Sequence, residues 1–192
     1  MENALYMPNN TYAGQAKIYL KECMEKQDSS GGVVECTVHG MPAGIGEPVF
    51  EKLDAALAKA VMSIGAVKGV EIGDGFQAAT SHGSINNDAF TCENGSISKL
   101  TNHSGGILGG MSDGSDIVLR AAFKPTPSIS QVQQTVTTTS ENIDLSIHGR
   151  HDPIIVPRAV VVVESMVALT LIDLLFANMS SRLDKILSFY KR

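Results

Sequence analysis

Four short segments of this chain put charge, hydroxyl groups or bare backbone where a small anion or a planar ligand could be held. In His148-Gly149-Arg150-His151-Asp152-Pro153, an arginine, an aspartate and two histidines lie within six residues. The Arg150 fork can clamp a carboxylate or phosphate, and Asp152 with its histidine neighbours offers groups for proton transfer. The same string also reads as a surface turn with a local ion pair. Lys124-Pro125-Thr126-Pro127-Ser128 sets one cation and two hydroxyls on a loop stiffened by two prolines. That set suits a phosphate monoester, or it ends a strand in solvent.

The third segment, Ser104-Gly105-Gly106-Ile107-Leu108-Gly109-Gly110, has two glycine pairs. Their backbone can approach a ligand closely and form an anion nest, although turn geometry alone accounts for them equally well. It is not GxGxxG and no GKS/T follows, so neither a dinucleotide fingerprint nor a Walker loop is indicated. Last is the polar stretch with Asn86, Asn87 and Asp88, followed later by His103. With His82 these lack the HExxH or facial-triad spacing of a metal centre, and no metal is expected. GxSxG is absent, and no cysteine has a base at recognisable spacing, so a covalent hydrolase is weakly supported.

The elements that must position these segments follow from periodicity. Residues Thr11 to Lys26 mix Ala, Ile, Leu and Met with charged residues as an amphipathic helix does, and Gly31-Gly32 break that pattern. The runs Val33 to Val38, Val67 to Ile72 and Ile117 to Phe123 are rich in β-branched residues and read as strands. Pro48 suits the first turn of a helix. Phe50, Leu53, Leu57, Val61 and Ile64 follow at helical spacing, with Gly65 as the expected C-cap. From Gln77 to Asp113 the chain is polar and nearly aperiodic, too long for an idle connector, so a binding loop is expected there. Gln131 to Ile147 suits a hairpin, and a long apolar helix begins near Pro157. Blocks of helices and antiparallel-looking strands, without βαβ alternation, argue for α+β.

Composition narrows the class. The chain has 192 residues, 43% apolar and 18% charged, with 18 glycines, which suits a folded core with many turns. A net charge of −5 with no Lys/Arg run argues against nucleic acid as a partner. Three cysteines without CxxC spacing fit a reducing cytoplasm better than a disulfide framework. The N-terminal residues lack a signal-peptide pattern. Ala159 to Met179 is the one membrane-like stretch. Glu164 and Asp173 interrupt it, each costing about 2.5–3.5 kcal/mol at mid-bilayer, so a buried helix and no membrane association are expected.

Read in order, SSGGVVECTVHGMPAGIGEPVFEKLDAALAKAVMSIGAVKGVEIGDGF, GSINND, NHSGGILGGMSDG, AFKPTPSI and GRHDPIIVPRAV resemble the second half of chorismate synthases, over about residues 28 to 177. The resemblance divides the chain into a helical lead-in (1–27), the C-terminal half of the family sequence (28–180) and a tail (181–192). It implies an antiparallel sheet layered against core helices, half of the family's β-α-β sandwich. The family's reaction converts 5-enolpyruvylshikimate 3-phosphate to chorismate and phosphate by a 1,4-anti elimination. It needs reduced FMN, in a cytoplasmic homotetramer. The implied FMN contacts are Gly65, Ala66, Gly109, Lys124, Pro125, Thr126, Pro127, Ser128 and Arg150. Arg150 would also lie near the substrate, and Asp152 would relay a proton. On this reading Arg150, Asp152, Gly109 and Lys124 converge on one flavin-sized cleft.

Two local departures stand out: Ile154 where the family usually has a small residue, and Val161 where it often has proline. The family's first half, with its two-histidine motif and anion-binding arginines, has no counterpart here. No histidine precedes His39 and no arginine precedes Arg120. The expectation is therefore a truncated gene, an internal start or a split subunit, inactive alone and needing a complementary N-terminal half. A non-catalytic remnant, binding flavin or phosphate or serving in oligomerisation, is the alternative.

Overall fold

Blocks of β-branched sequence and helices with apolar stripes produce an α+β fold, with the element types the sequence predicts at most positions. The computed structural model describes residues 3–191 apart from Pro48, Asn94, Arg150 and His151. In chain order the elements are α1 (Asn10–Glu25), β1 (Gly32–Val38), α2 (Leu53–Met62), β2 (Val67–Ile72), a 3₁₀ turn (Gly75–Thr80), α3 (Gly83–Asn86), β3 (Phe90–Glu93), β4 (Ser96–Lys99), β5 (Ile107–Leu108), β6 (Met111–Ser112), β7 (Ile117–Phe123), β8 (Gln133–Val136), β9 (Asn142–Leu145), α4 (Val156–Ser180) and α5 (Leu183–Tyr190). They fall into two units, Met1–Val34 with Ala122–Val160, and Glu35–Ala121 with Val161–Arg192.

In the larger unit the sheet has the order β1-β7-β2. Period-two alternation along β7 buries Ile117, Leu119 and Ala121 completely. Helix α2 packs on β2 with Leu53, Leu57 and Val61, one stripe at i, i+4 and i+8, also fully buried. Each such side chain contributes roughly 1.5–3 kcal/mol of burial. The helix begins later than its sequence periodicity predicts, because Phe50 is 88% exposed and outside it. Tertiary contact sets the start: the Leu53 N–H donates to the Gly110 carbonyl at 2.7 Å, satisfying a helix-terminal donor that Lys52 does not cap. The C-cap also differs. Ser63 is the cap, and the left-handed residue is Ala66 (φ 71°), not Gly65.

Helix α4 is the one helix among the described residues long and apolar enough to cross a membrane by length and composition. Val163, Val167, Leu171 and Leu174 form a buried stripe, whereas Val161, Leu169, Ile172 and Phe176 are exposed. The region expected to be a tail contains α5, whose Leu183, Leu187, Phe189 and Tyr190 are exposed.

The smaller unit is built on the Ser29–Gly32 segment. Helix α1 leads to it, capped by the Asn9 side chain, which accepts from the N–H groups of Thr11 (2.8 Å) and Tyr12 (3.2 Å). At Gly31 an added methyl group would collide with the Phe123 carbonyl and press within 3.1 Å of the Pro125 ring, and at Gly32 it would come 3.0 Å from Val156. These glycines therefore serve close approach, beyond the helix-breaking role read from the sequence. On the far side, the Ser30 N–H donates to the Pro153 carbonyl at 2.7 Å, and Ser30 bridges to Ile154. Strands β8 and β9 form the expected antiparallel hairpin.

Gly31→Ala should therefore destabilise the chain by about 1–3 kcal/mol through overpacking. Gly14→Ala, in α1 with nothing near its would-be methyl group, should stabilise it by roughly 0.5–1 kcal/mol. Urea midpoints of the two variants check the contrast.

Candidate functional site

The Ser29–Gly32 segment brings two of the sequence-predicted loops together. The Ser29 hydroxyl donates to the Thr126 carbonyl at 2.7 Å, so the Lys124–Ser128 loop lies along one side of the segment. The Pro153 carbonyl binds the other. Between them is a pocket of about 170 Å³, with Asp28, Ser29, Ser128, Ser130 and Asp152 among its lining residues. It is smaller than the ~300–1,000 Å³ of sites that enclose a drug-sized ligand, so within this unit it suits a phosphate-sized group and not a whole flavin ring. Lys124, Pro125 and Pro127 are exposed, and Thr126 and Ser128 half-buried. The Thr126 Oγ1 atom is buried without a hydrogen-bond partner. Such an atom is costly unless something else supplies the bond, and a ligand oxygen or nitrogen would do so.

Asp152 has a partner that the sequence reading missed. Arg158, in the first turn of α4, contacts both carboxylate oxygens, Nη1 to Oδ2 at 2.6 Å and Nη2 to Oδ1 at 3.0 Å. The sequence reading assigned the nearby cation to Arg150, which lies outside the described residues. The available signal for Arg158 was its spacing, six residues beyond Asp152 with Pro157 between. Ile154, flagged as bulky for its position, bridges to Ser30.

The glycine segment belongs to the larger unit and is a tight hairpin, β5 to β6, turning at Gly109 (φ 59°) and Gly110 (φ 86°). Nothing lies within 4 Å of a methyl group at Gly109, whereas at Gly110 it would come 2.5 Å from the Lys52 side chain. Gly110 is fixed by packing and Gly109 faces open space, as a backbone contact for a ligand requires. Gly65 and Ala66 follow the C-terminus of α2, while Gly110 binds its N-terminus. The ten residues of α2 separate them by about 15 Å. The positive φ of Ala66 is a strained conformation of the kind that concentrates at binding sites.

The polar region from Gln77 to Asp113 is more ordered than an aperiodic loop. It folds around Lys99, whose side chain is only 3% exposed. The Lys99 Nζ donates to Asp113 (2.7 Å), Ser104 (2.9 Å), Asp88 (3.3 Å) and Asn102 (3.3 Å). Asp88 in turn accepts from the backbone N–H groups of His103 (2.7 Å) and Ser104 (2.9 Å) and from the Thr101 hydroxyl (2.8 Å). Asn102 accepts from Gly106 N–H at 2.8 Å, tying the hub to the glycine hairpin. Burial alone would raise the Asp88 carboxyl. Hydrogen bonds from Ser104, Thr101 and His103 outweigh burial and hold it well below the usual carboxylate range. Asp113 is likewise held low: burial opposes ionisation, but Lys99 and Ser115 prevail. His103 Nδ1 lies 2.7 Å from Asp74. Among the described residues no group of three His, Cys, Asp or Glu converges as a metal site. Strands and helices of two to four residues are too short to show a period, which is why sequence reading missed this order. Its usable signal was the excess of Asn, Asp, Ser and Thr, whose side chains bond nearby backbone.

The sequence model of the family described as "Chorismate synthase" matches residues 1–176. The match thus takes in the helical lead-in as well. The chorismate synthase of Agathobacter rectalis is 61% identical over 190 residues, 99% of this chain and 52% of that protein. The chorismate synthase of Methanosarcina mazei is 60% identical over 150 residues, 78% of this chain and 41% of that protein. A crystal structure of chorismate synthase superposes with a TM-score of 0.71 at 34% identity, covering 86% of this chain and 43% of that one. The chain spans about half the length of the curated relatives it matches.

Removing one partner from the Lys99 hub should cost about 3–5 kcal/mol, because it strands buried charge. Lys99→Met should show that loss in urea at neutral pH. Because the Asp88 and Asp113 carboxyls are depressed in the fold, their stabilisation is full above the unfolded value of about 4 and is lost as pH falls through the lower folded values. Wild-type stability should therefore drop below about pH 4, and Asp88→Asn should flatten that drop.

Proposed function

The chain belongs to the chorismate synthase family, and on that premise we propose that it supplies the flavin-facing half of a cytoplasmic enzyme converting 5-enolpyruvylshikimate 3-phosphate to chorismate and phosphate. The single observation that carries this reading is the seam of the smaller unit, where the Lys124–Ser128 loop and the turn that carries Asp152 are pinned to the same short segment. The Ser128 hydroxyl and the Asp152 carboxylate line one small pocket, with Lys124 on the same loop as Ser128, and a carboxylate placed there could take up a ring proton.

The Thr126 hydroxyl, buried and without a partner, fits a bound FMN group, as does the open face of Gly109. Lys124 through Ser128 would hold it, with Arg150, Gly65, Ala66 and Gly109 completing the contacts. Reduced FMN, when bound, would lend electron density to the elimination and recover it, so that no net redox change occurs. The chain's own part is to bind and orient. Lys124 supplies positive charge beside the phosphate, Thr126 and Ser128 donate hydrogen bonds, and Asp152 accepts the proton. Arg150 balances charge near the substrate.

This activity requires the rest of the family's length. Val161, Leu169, Ile172 and Phe176 leave an apolar face of α4 exposed, and contiguous faces of this kind mark surfaces that are covered in assemblies. We infer that a complementary N-terminal half covers it, within a tetramer, and that the chain alone is inactive.

Mixing or fusing the chain with an N-terminal half from a relative should restore FMN binding, read by quenching of flavin fluorescence, and chorismate formation. Asp152→Asn in that assembly should bind FMN normally and lose about 10²–10⁴-fold in turnover, the size of a general acid–base contribution. Failure of both binding and turnover in the mixture would defeat the reading. Alone, the chain is expected to self-associate by light scattering, because an uncovered apolar face is an association liability, and a clean monomer would count against the covered-face inference.

A further inference from the structure

We propose that Arg158 is the positioning residue that sets the orientation of the Asp152 carboxylate. This rests on reading Asp152 as the proton acceptor, which gives the fork a chemical purpose. The geometry is bidentate: each carboxylate oxygen faces its own guanidinium nitrogen, at 2.6 and 3.0 Å. A planar fork fixes the plane of a carboxylate as well as its location, which a single ammonium cannot do.

The two residues are also held at matched positions. Asp152 precedes Pro153 and Ile154, and both of these are tied to Ser30. Arg158 follows on the first turn of α4, where its N–H donates to the Ile155 carbonyl at 3.0 Å. The turn that joins the pair is thus anchored at its midpoint. A cation in the first turn is disfavoured by the helix dipole, and that turn carries no acidic residue of its own. Asp152, just ahead of the helix, supplies the compensating charge.

Stability does not explain the arrangement. Arg158 is 76% exposed and Asp152 38% exposed, and pairs this open add little to folding. Orientation is what the fork supplies. With one lone pair of each oxygen taken by Arg158, the remaining acceptor positions point away from the guanidinium. Asp152 also lines the small pocket beside Ser128, so the geometry leaves the carboxylate able to accept a proton from that side. Proton transfer to a fixed base depends steeply on such alignment.

Two measurements test this. In the chain by itself, carbon-13 signals of labelled aspartate carboxyls should show Asp152 shifting and broadening in Arg158→Gln, while Asp88 and Asp113 stay in place. An unmoved Asp152 signal would overturn the proposal. In the assembly with the N-terminal half, Arg158→Gln should lower kcat by roughly 10- to 100-fold, the scale of a misplaced catalytic group, and raise the solvent deuterium isotope effect. FMN affinity and KM should stay within about twofold. Arg158→Lys, which keeps the charge and loses the fork, should recover only part of the loss. Equal kcat in Arg158→Gln and the parent, full recovery by lysine, or a parallel fall in FMN affinity would each overturn it. If the parent assembly forms no chorismate, the activity reading falls, and the Asp152 signal alone decides the orienting role.

Discussion

The smaller unit depends on backbone lying where a side chain would have to be. A β-carbon at Gly31 would collide with the Phe123 carbonyl and crowd the Pro125 ring, so only glycine permits that approach. Everything chemical in this unit is referenced to that contact. The Lys124–Ser128 loop is laid on one side of the segment through Ser29, and the turn carrying Asp152 on the other through Ser30. A site on loops is ordinarily imprecise. Here both loops are fastened to consecutive residues of one chain segment, so their relative placement is set by covalent geometry.

The larger unit solves a related problem with charge. Between Gln77 and Asp113 the large apolar residues are mostly exposed, Phe90, Ile97 and Leu100 among them, and the run folds inward around one ammonium group instead of an apolar core. Lys99 binds two carboxylates, an amide and a hydroxyl, and Asp88 extends the hub into backbone N–H groups. Such a hub is worth little net stability against an apolar alternative, yet breaking it is costly. It therefore specifies one arrangement of the loops that end at the glycine hairpin.

The sequence was most readable where burial is one-sided and long enough to repeat. The ranges of β2 and β7 were readable in full and β1 to within one residue, because short runs rich in β-branched residues, bounded by breaker residues, mark strands. The stripe of α2 was equally plain, but its start was misread. Phe50 fits the helical period, and nothing local reveals that Gly110 terminates the helix at Leu53. At the other end, Gly65 was the expected cap, yet Ala66 takes the left-handed turn. Within the site, Asp152 and the proline loop were named from residue type. Arg158 was not, since an arginine inside an apolar helix pattern looks like a solvated surface charge. Lys99 was invisible because its partners come from three separate stretches, around Asp88, Asn102–Ser104 and Asp113, a relation that spacing cannot express.

The two ion-pair systems also differ in how far the surrounding electrolyte reaches them. Mobile ions screen exposed charges over about 8 Å at physiological ionic strength and affect enclosed ones far less. The Lys99 hub, with all its charged side chains under a tenth exposed, should be indifferent to salt. The Arg158–Asp152 contact stands in the solvent, so dissolved anions compete for its guanidinium. One framework is insulated, whereas the exposed pair responds to the ionic composition around it.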